Sequence, residues 1–168
     1  RLAALRQDLS GRTICIYCLA KGVAVALNPV PVADLLAAAT LDVALVMHLS
    51  RIYGLPLTRV EAGRLLTTIA AQLAALMGAI WGVHLAASAL KVASAGLSTA
   101  LTAAAQGALA WYATVLVGRA AEKYLAQGKS WGEHGPKRVV ADIVESLDRD
   151  SILREAREEI LTRLRSKA

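Results

Sequence analysis

The stretch LLTTIAAQLAALMGAIWGVHLAASALKVASAGLSTALTAAAQGALAWYATVLVG, residues 65–118, holds a single formal charge, Lys91. Its alanines and leucines favour helix. An amphipathic element of a soluble domain interleaves charges with apolar residues, because one side of it meets water. This stretch does not. Lys91-Val92-Ala93-Ser94-Ala95 is its natural turn, dividing it into helices over 65–90 and 96–118. At about 1.5 Å per residue the first is longer than the ~30 Å hydrocarbon core of a bilayer. The pattern predicts a membrane-embedded helical hairpin.

Its flanks fit that reading. Thr58-Arg59-Val60-Glu61 is a capping-box pattern that starts the first helix. Arg51, Arg59 and Arg64 precede the hairpin and Arg119 and Lys123 follow it, so positive charge marks the open end, the side that faces the cytoplasm. Within it, Gly78 and Gly82 form a small-xxx-small step, and Ala104 and Ala108 lie opposite once the chain folds near residue 93. Small residues let helix backbones approach closely in lipid.

A second weakly charged block comes earlier. Residues 13–50 carry only Lys21, Asp34 and Asp42. Two prolines in Asn28-Pro29-Val30-Pro31 interrupt the helix there, and Gly54-Leu55-Pro56 stops the next one. The result is a hairpin over 13–53 with Asn28, Pro29, Pro31 and Asp34 at its tip, the asparagine and aspartate serving as caps. Folding about residue 31 brings Lys21 and Asp42 to similar depth. Charges away from water are costly alone, so the two are expected to neutralise one another as an intramembrane pair.

From Arg119 onward the composition changes. Residues 119–168 contain 11 Lys/Arg and 9 Asp/Glu. Residues 128–135 (GKSWGEHG) form a glycine-rich loop, Pro136 suits a first helical position, and Val139, Val140, Ile143, Val144 and Leu147 make a helical stripe. Asp148 or Asp150 caps a last helix with the stripe Ile152, Leu153, Ala156, Ile160, Leu161 and Leu164. The fold class is therefore all-α: two membrane-embedded hairpins within residues 1–127 (13–53 and 58–127), and a cytoplasmic loop with a pair of amphipathic helices over 128–168. Both ends of the chain are placed on the cytoplasmic side of a bacterial inner or thylakoid membrane.

Composition excludes several classes. Among 168 residues, 56% are hydrophobic and mean hydropathy is +0.48, incompatible with intrinsic disorder. Two cysteines exclude a disulfide scaffold or a multi-site zinc protein, and four prolines exclude a proline-rich linker. Gly128-Lys129-Ser130 ends like a phosphate-binding loop, but position 123, where that motif needs glycine, is lysine, and a helix precedes it instead of a strand. Cys15 and Cys18 have redox-pair spacing inside an apolar helix with no second pair, and read as inert thiols. His48, His84 and His134 lack partner motifs. No catalytic residue, cofactor or metal site is assigned, and the mixed charges of the tail read as solvated faces, with no nucleic-acid groove.

The run Asn28-Pro29-Val30-Pro31-Val32-Ala33-Asp34, the helix ending Arg51-Ile52-Tyr53-Gly54, and the Ala/Gly-rich hairpin closing at Gly118 resemble the YcjF-like domain of unknown function. Gly128-Lys129-Ser130-Trp131-Gly132 with Gly135-Pro136 is similar to cyanobacterial members, and the resemblance covers about residues 12–165. It implies a domain that often follows a small or dynamin-like GTPase domain and tethers it to the membrane. It supplies no catalytic residues. The expected function is a non-catalytic anchor or scaffold, its partners being the bilayer, a protein docking on the C-terminal helices, and a GTPase module in the same polypeptide. The rival readings are a subunit or assembly factor of a photosynthetic or respiratory complex, a channel or transporter built around Lys21, Asp34 and Asp42, and a soluble alanine-rich bundle.

Overall fold

Helix α1 (Leu2–Leu27) and α2 (Pro31–Ile52) form the first hairpin. The sequence reading begins that hairpin at residue 13, because Arg6, Asp8 and Arg12 break the apolar run. The helix nevertheless extends back to Leu2. One face of it buries Ser10 and Thr13, and another keeps Asp8 and Arg12 in water as an i,i+4 pair at 3.3 Å. Pro31 opens α2, where its missing N–H leaves no hydrogen bond unmade. The computed structural model describes residues 2–27, 31–73, 75–76 and 99–167, and the side chains at 3, 25, 27, 31–39, 99–106, 166 and 167 fall outside that description.

The turn after α2 follows from local chemistry. Gly54 adopts φ +70°, and the Leu55 N–H reaches back to the Ser50 carbonyl at 2.9 Å. The Ser50 hydroxyl accepts the Leu57 N–H at 3.1 Å. Helix α3 (59–73) then starts on the capping box read from the sequence: the Glu61 N–H donates to Thr58 Oγ1 at 3.2 Å, and the Thr58 N–H points to the Glu61 carboxylate at 3.5 Å.

Helix α4 (Thr99–Ala126) is central, packed against α1, α2, α5 (Gly135–Ser146) and α6 (Arg149–Lys167). Leu45, Val46 and Leu49 of α2, Leu65 and Ile69 of α3, and Val117, Ala121 and Leu125 of α4 share one core with Ile14 and Cys18. Val140 of α5 enters the same core, so the C-terminal helices are built into the bundle. On the other side of α4, Tyr112 and Leu116 are covered by Ile143, Val144, Leu147, Ile152 and Leu153. The described residues contain helices and no strand. No helix among them is long and apolar enough to cross a membrane.

The tightest contact joins α1 to α4. A Cβ at Gly107 would lie 2.5 Å from the Gly22 carbonyl oxygen, 2.9 Å from Ile160 Cδ1 and 3.3 Å from Ala26 Cβ. Two backbones therefore meet where neither has a side chain, and Ile160 of α6 fills the remaining space. Further along the same interface, the three atoms nearest a Cβ at Gly118 would all belong to the Ile14 side chain, the first at 2.7 Å. Gly107→Ala should destabilise the bundle by about 1–2 kcal/mol in chemical unfolding, because helices must separate and overpacking outweighs the helix propensity gained. Gly118→Ala should cost less than Gly107→Ala, about 1 kcal/mol, because no backbone stands in the way but the buried, β-branched Ile14 must shift as a whole. A larger loss at Gly118 than at Gly107 would contradict this assignment of the backbone contact.

Candidate functional site: a buried ion pair between two unlike ends

The register of the first hairpin places Lys21 on α1 opposite Asp42 on α2. Lys21 Nζ donates to both carboxylate oxygens of Asp42, at 2.8 and 2.7 Å, and the side chains are only 8% and 13% exposed. Cys18 is fully buried one turn before Lys21, whereas Cys15 is exposed, and both are free thiols. Two turns on from Asp42, His48 stands edge-on to Tyr17 with ring centroids 6.1 Å apart. His48 is exposed. Among the described residues no group of three or more His, Cys, Asp or Glu converges as a metal site would require.

The surroundings of the pair matter for its interpretation. Lys21 precedes Gly22, which touches Gly107 and Ile160. Helix α6 therefore lies beside the bundle at the level of the pair, and its Arg157, Glu158 and Glu159 are half-exposed or exposed there. Packed helices shield Lys21 and Asp42.

One end of the bundle is polar. The Ser10 hydroxyl donates to Glu122 Oε2 and also reaches the Gln7 carbonyl at 3.0 Å, and Arg119 holds the other Glu122 oxygen at 3.4 Å. Tyr53 is in hydrogen-bonding contact with Ser10, and partial burial raises its phenol above the ordinary tyrosine value, with Glu122 adding to the effect. A cleft of about 520 Å³ opens beside this network, lined by Arg6, Tyr53, Glu122 and Lys123 among others. Nearby the glycine-rich loop folds Trp131 onto Tyr124, with ring centroids 4.9 Å apart, and Lys129 approaches Glu61 at 3.9 Å. Positive φ at Gly128, Lys129 and Gly132 shapes it as a turn after a helix, which is not the strand-to-helix loop that cradles phosphate.

Toward the other end, α1 and α4 lose their charge, whereas α2 has Asp34 in its first turn and α6 brings Arg163, Arg165 and Lys167. Between Thr99 and Gly118, α4 has none. Pro31 begins α2 and Asp34 lies in its first turn, with the Asp34 side chain outside the description. Asn28, Pro29, Gly78 and Gly82 lie outside the described residues, as does the Ala104 side chain, whereas Ala108 is buried in α4. The sequence reading looks for small-residue packing within the second hairpin and misses Gly22 against Gly107. The signal is present: Gly22-x-x-x-Ala26 and Ala103-x-x-x-Gly107 are both small-xxx-small steps.

The family model described as Domain of unknown function (DUF697) matches residues 1–149. The chain belongs to the DUF697 family. No curated protein and no solved structure matches it. In this DUF697 domain the match takes in the ion pair, the Gly22–Gly107 contact and the Ser10–Glu122–Arg119 network, and ends at the first residue of α6.

Removing one partner of a buried pair leaves the other charge uncompensated, whereas removing both need cost little. Lys21→Met should lower stability by about 3 kcal/mol or more in chemical unfolding, and Lys21→Met/Asp42→Leu should recover most of that loss. A double variant as unstable as the single one would show that the pair is not the source of the effect.

Proposed function

We propose that this domain is a non-catalytic membrane anchor that holds a partner, either a GTPase module in the same polypeptide or a larger complex, at the bilayer surface. The observation carrying this reading is the gradient of charge along the bundle axis. Ser10, Glu122, Arg119, Arg51, Arg59 and Lys129 collect at one end. Past the Gly22–Gly107 contact, residues 23–40 of the first hairpin carry only Asp34 and residues 99–106 of α4 carry no charge; in the sequence, residues 77–98 carry only Lys91. Water rewards polar surface at every element it touches, so a chain that removes charge from one end is suited to a different solvent there.

On this reading the second hairpin enters lipid with its 77–98 segment, and the boundary between solvents lies near the Gly22–Gly107 layer. The polar end, with its cleft beside Tyr53 and Glu122, faces the cytoplasm and offers the docking surface. Lys21 and Asp42 satisfy one another inside packed helices, which favours a structural role for them over an ion path. The carboxylate–ammonium contact fixes the hairpin register without leaving a charge to meet lipid.

Carbonate washing of membranes from cells expressing the chain tests this directly. The polypeptide should stay with the membrane pellet. Alkylation of the exposed Cys15 by an impermeant maleimide, a separate reporter of the polar end, should label only from the cytoplasmic face. Release of the protein into the supernatant would overturn the anchoring role.

A further inference from the structure

The cleft of about 520 Å³ at the polar end holds positive charge that the fold itself does not use up. Arg6 and Gln7 line it from the second turn of α1, Tyr53 and Leu55 from the turn after α2, and Glu122 and Lys123 from the last turns of α4. Two of these groups are already engaged. Tyr53 contacts Ser10, and the Glu122 carboxylate is closed between Ser10 and Arg119. Arg6 and Lys123, in contrast, have no ion-pair partner among the described residues. The Arg6 guanidinium lies over the turn, its Nη2 3.5 Å from the place a Cβ at Gly54 would take, and Lys123 is exposed. Both helices that end at this cleft, α2 and α4, end there by their C-termini. Each presents the negative pole of its peptide dipoles, about half a charge, and balancing such a pole is the ordinary task of a cation beside it. Two cations against two half charges leave roughly one positive charge in excess, because Arg119 already matches Glu122.

We infer that this cleft receives a side-chain carboxylate from an acidic segment of the docked partner protein, held by the Arg6 guanidinium with Lys123 adding its charge from the α4 wall. This rests on the reading of the polar end as the docking surface, and adds the partner's chemistry to it. The balance of charge selects the ligand. An excess of roughly one positive charge suits a monoanion, whereas a phosphate monoester brings about −1.5 to −2. Phosphate sites also tend to open onto the N–H ends of helices, and the helix ends at this cleft are carbonyl ends. Arg6 offers the planar pair of N–H donors that a carboxylate accepts side by side, and the exposed Gln7 amide adds a neutral donor next to it. Leu55 and Ala126 give the same cleft apolar surface for the residue beside the acid. A protein segment with one acid among small apolar residues therefore meets both kinds of wall.

The test uses the intact chain in micelles of an uncharged detergent. The probes are short peptides of alanine, serine and leucine with an uncharged dye, differing only in one central residue: glutamate, glutamine or phosphoserine. Fluorescence anisotropy should show the glutamate peptide bound roughly tenfold more tightly than the glutamine peptide, a preference that shrinks as salt rises. Phosphoserine should gain little over glutamate. Lys123→Gln should reduce the preference a few-fold, and Arg6→Gln/Lys123→Gln should bring the glutamate peptide down to the level of the glutamine one. The charge-matched Arg138→Gln/Arg154→Gln, at exposed sites on α5 and α6, should keep the whole preference. Equal binding of the glutamate and glutamine peptides by the parent, or an equal loss in the charge-matched control, would overturn the inference. A phosphoserine peptide bound many-fold tighter than the glutamate one, with that gain lost in Arg6→Gln/Lys123→Gln, would overturn the choice of carboxylate. No bilayer takes part in this assay, so these outcomes leave the anchor standing. The anchor fails separately, by release in carbonate with the peptide preference intact.

Discussion

The bundle depends on one close approach: the backbones of α1 and α4 touch at Gly22 and Gly107, with Ile160 closing the gap. Neither helix can shift without either opening a void or driving a side chain into a carbonyl, and interiors tolerate both poorly. That contact sits next to Lys21, so it also fixes how deeply the ion pair is set. Because α6 contributes the third component of the contact, the charged tail is drawn along the bundle and does not hang beside it. Charge, packing and the course of the tail are set by the same three residues.

The ion pair is best understood as a specification of register. A salt bridge taken out of water returns little net stability, since the desolvation of two charges offsets most of their attraction. What it does is forbid alternatives. A hairpin of alanine and leucine slides easily by one turn, because its apolar faces look alike at each register. Displacing Lys21 by a turn from Asp42 would leave two buried charges unpaired, a penalty far larger than any packing difference between registers. Cys18 and the Tyr17–His48 contact lie on the same interface and are carried with it.

Much of this is readable from residue types and spacing. The Thr58–Glu61 box, the Gly54 stop and the helix cap at Asp148, whose carboxylate accepts the Ser151 N–H at 3.3 Å, are local features that neighbours in sequence determine. Counting from Pro31 is enough to oppose Lys21 and Asp42. The start of α1 is not readable as part of an apolar block, because its early turns are half in water and carry charge on that side. The α1–α4 contact escapes for a different reason: hairpin logic pairs each helix with its sequence neighbour, whereas the closest approach joins helices from different hairpins. The stripe on α6 is legible, but its landing surface is not, since an apolar stripe names a need for a partner and not the partner itself.

The central claim is a change of solvent along the axis, from water around Glu122 and Trp131 to lipid around residues 77–98. Of the three tryptophans, Trp131 lies in the loop at the polar end and Trp111 within α4, and Trp81 belongs to the 77–98 stretch of the sequence. Single-tryptophan variants in vesicles made with lipids brominated on their acyl chains report the contact directly, because bromine quenches only nearby indoles. The account predicts strong quenching of Trp81 and none of Trp131. Equal, negligible quenching of both would mean that water surrounds the whole bundle, and would contradict it.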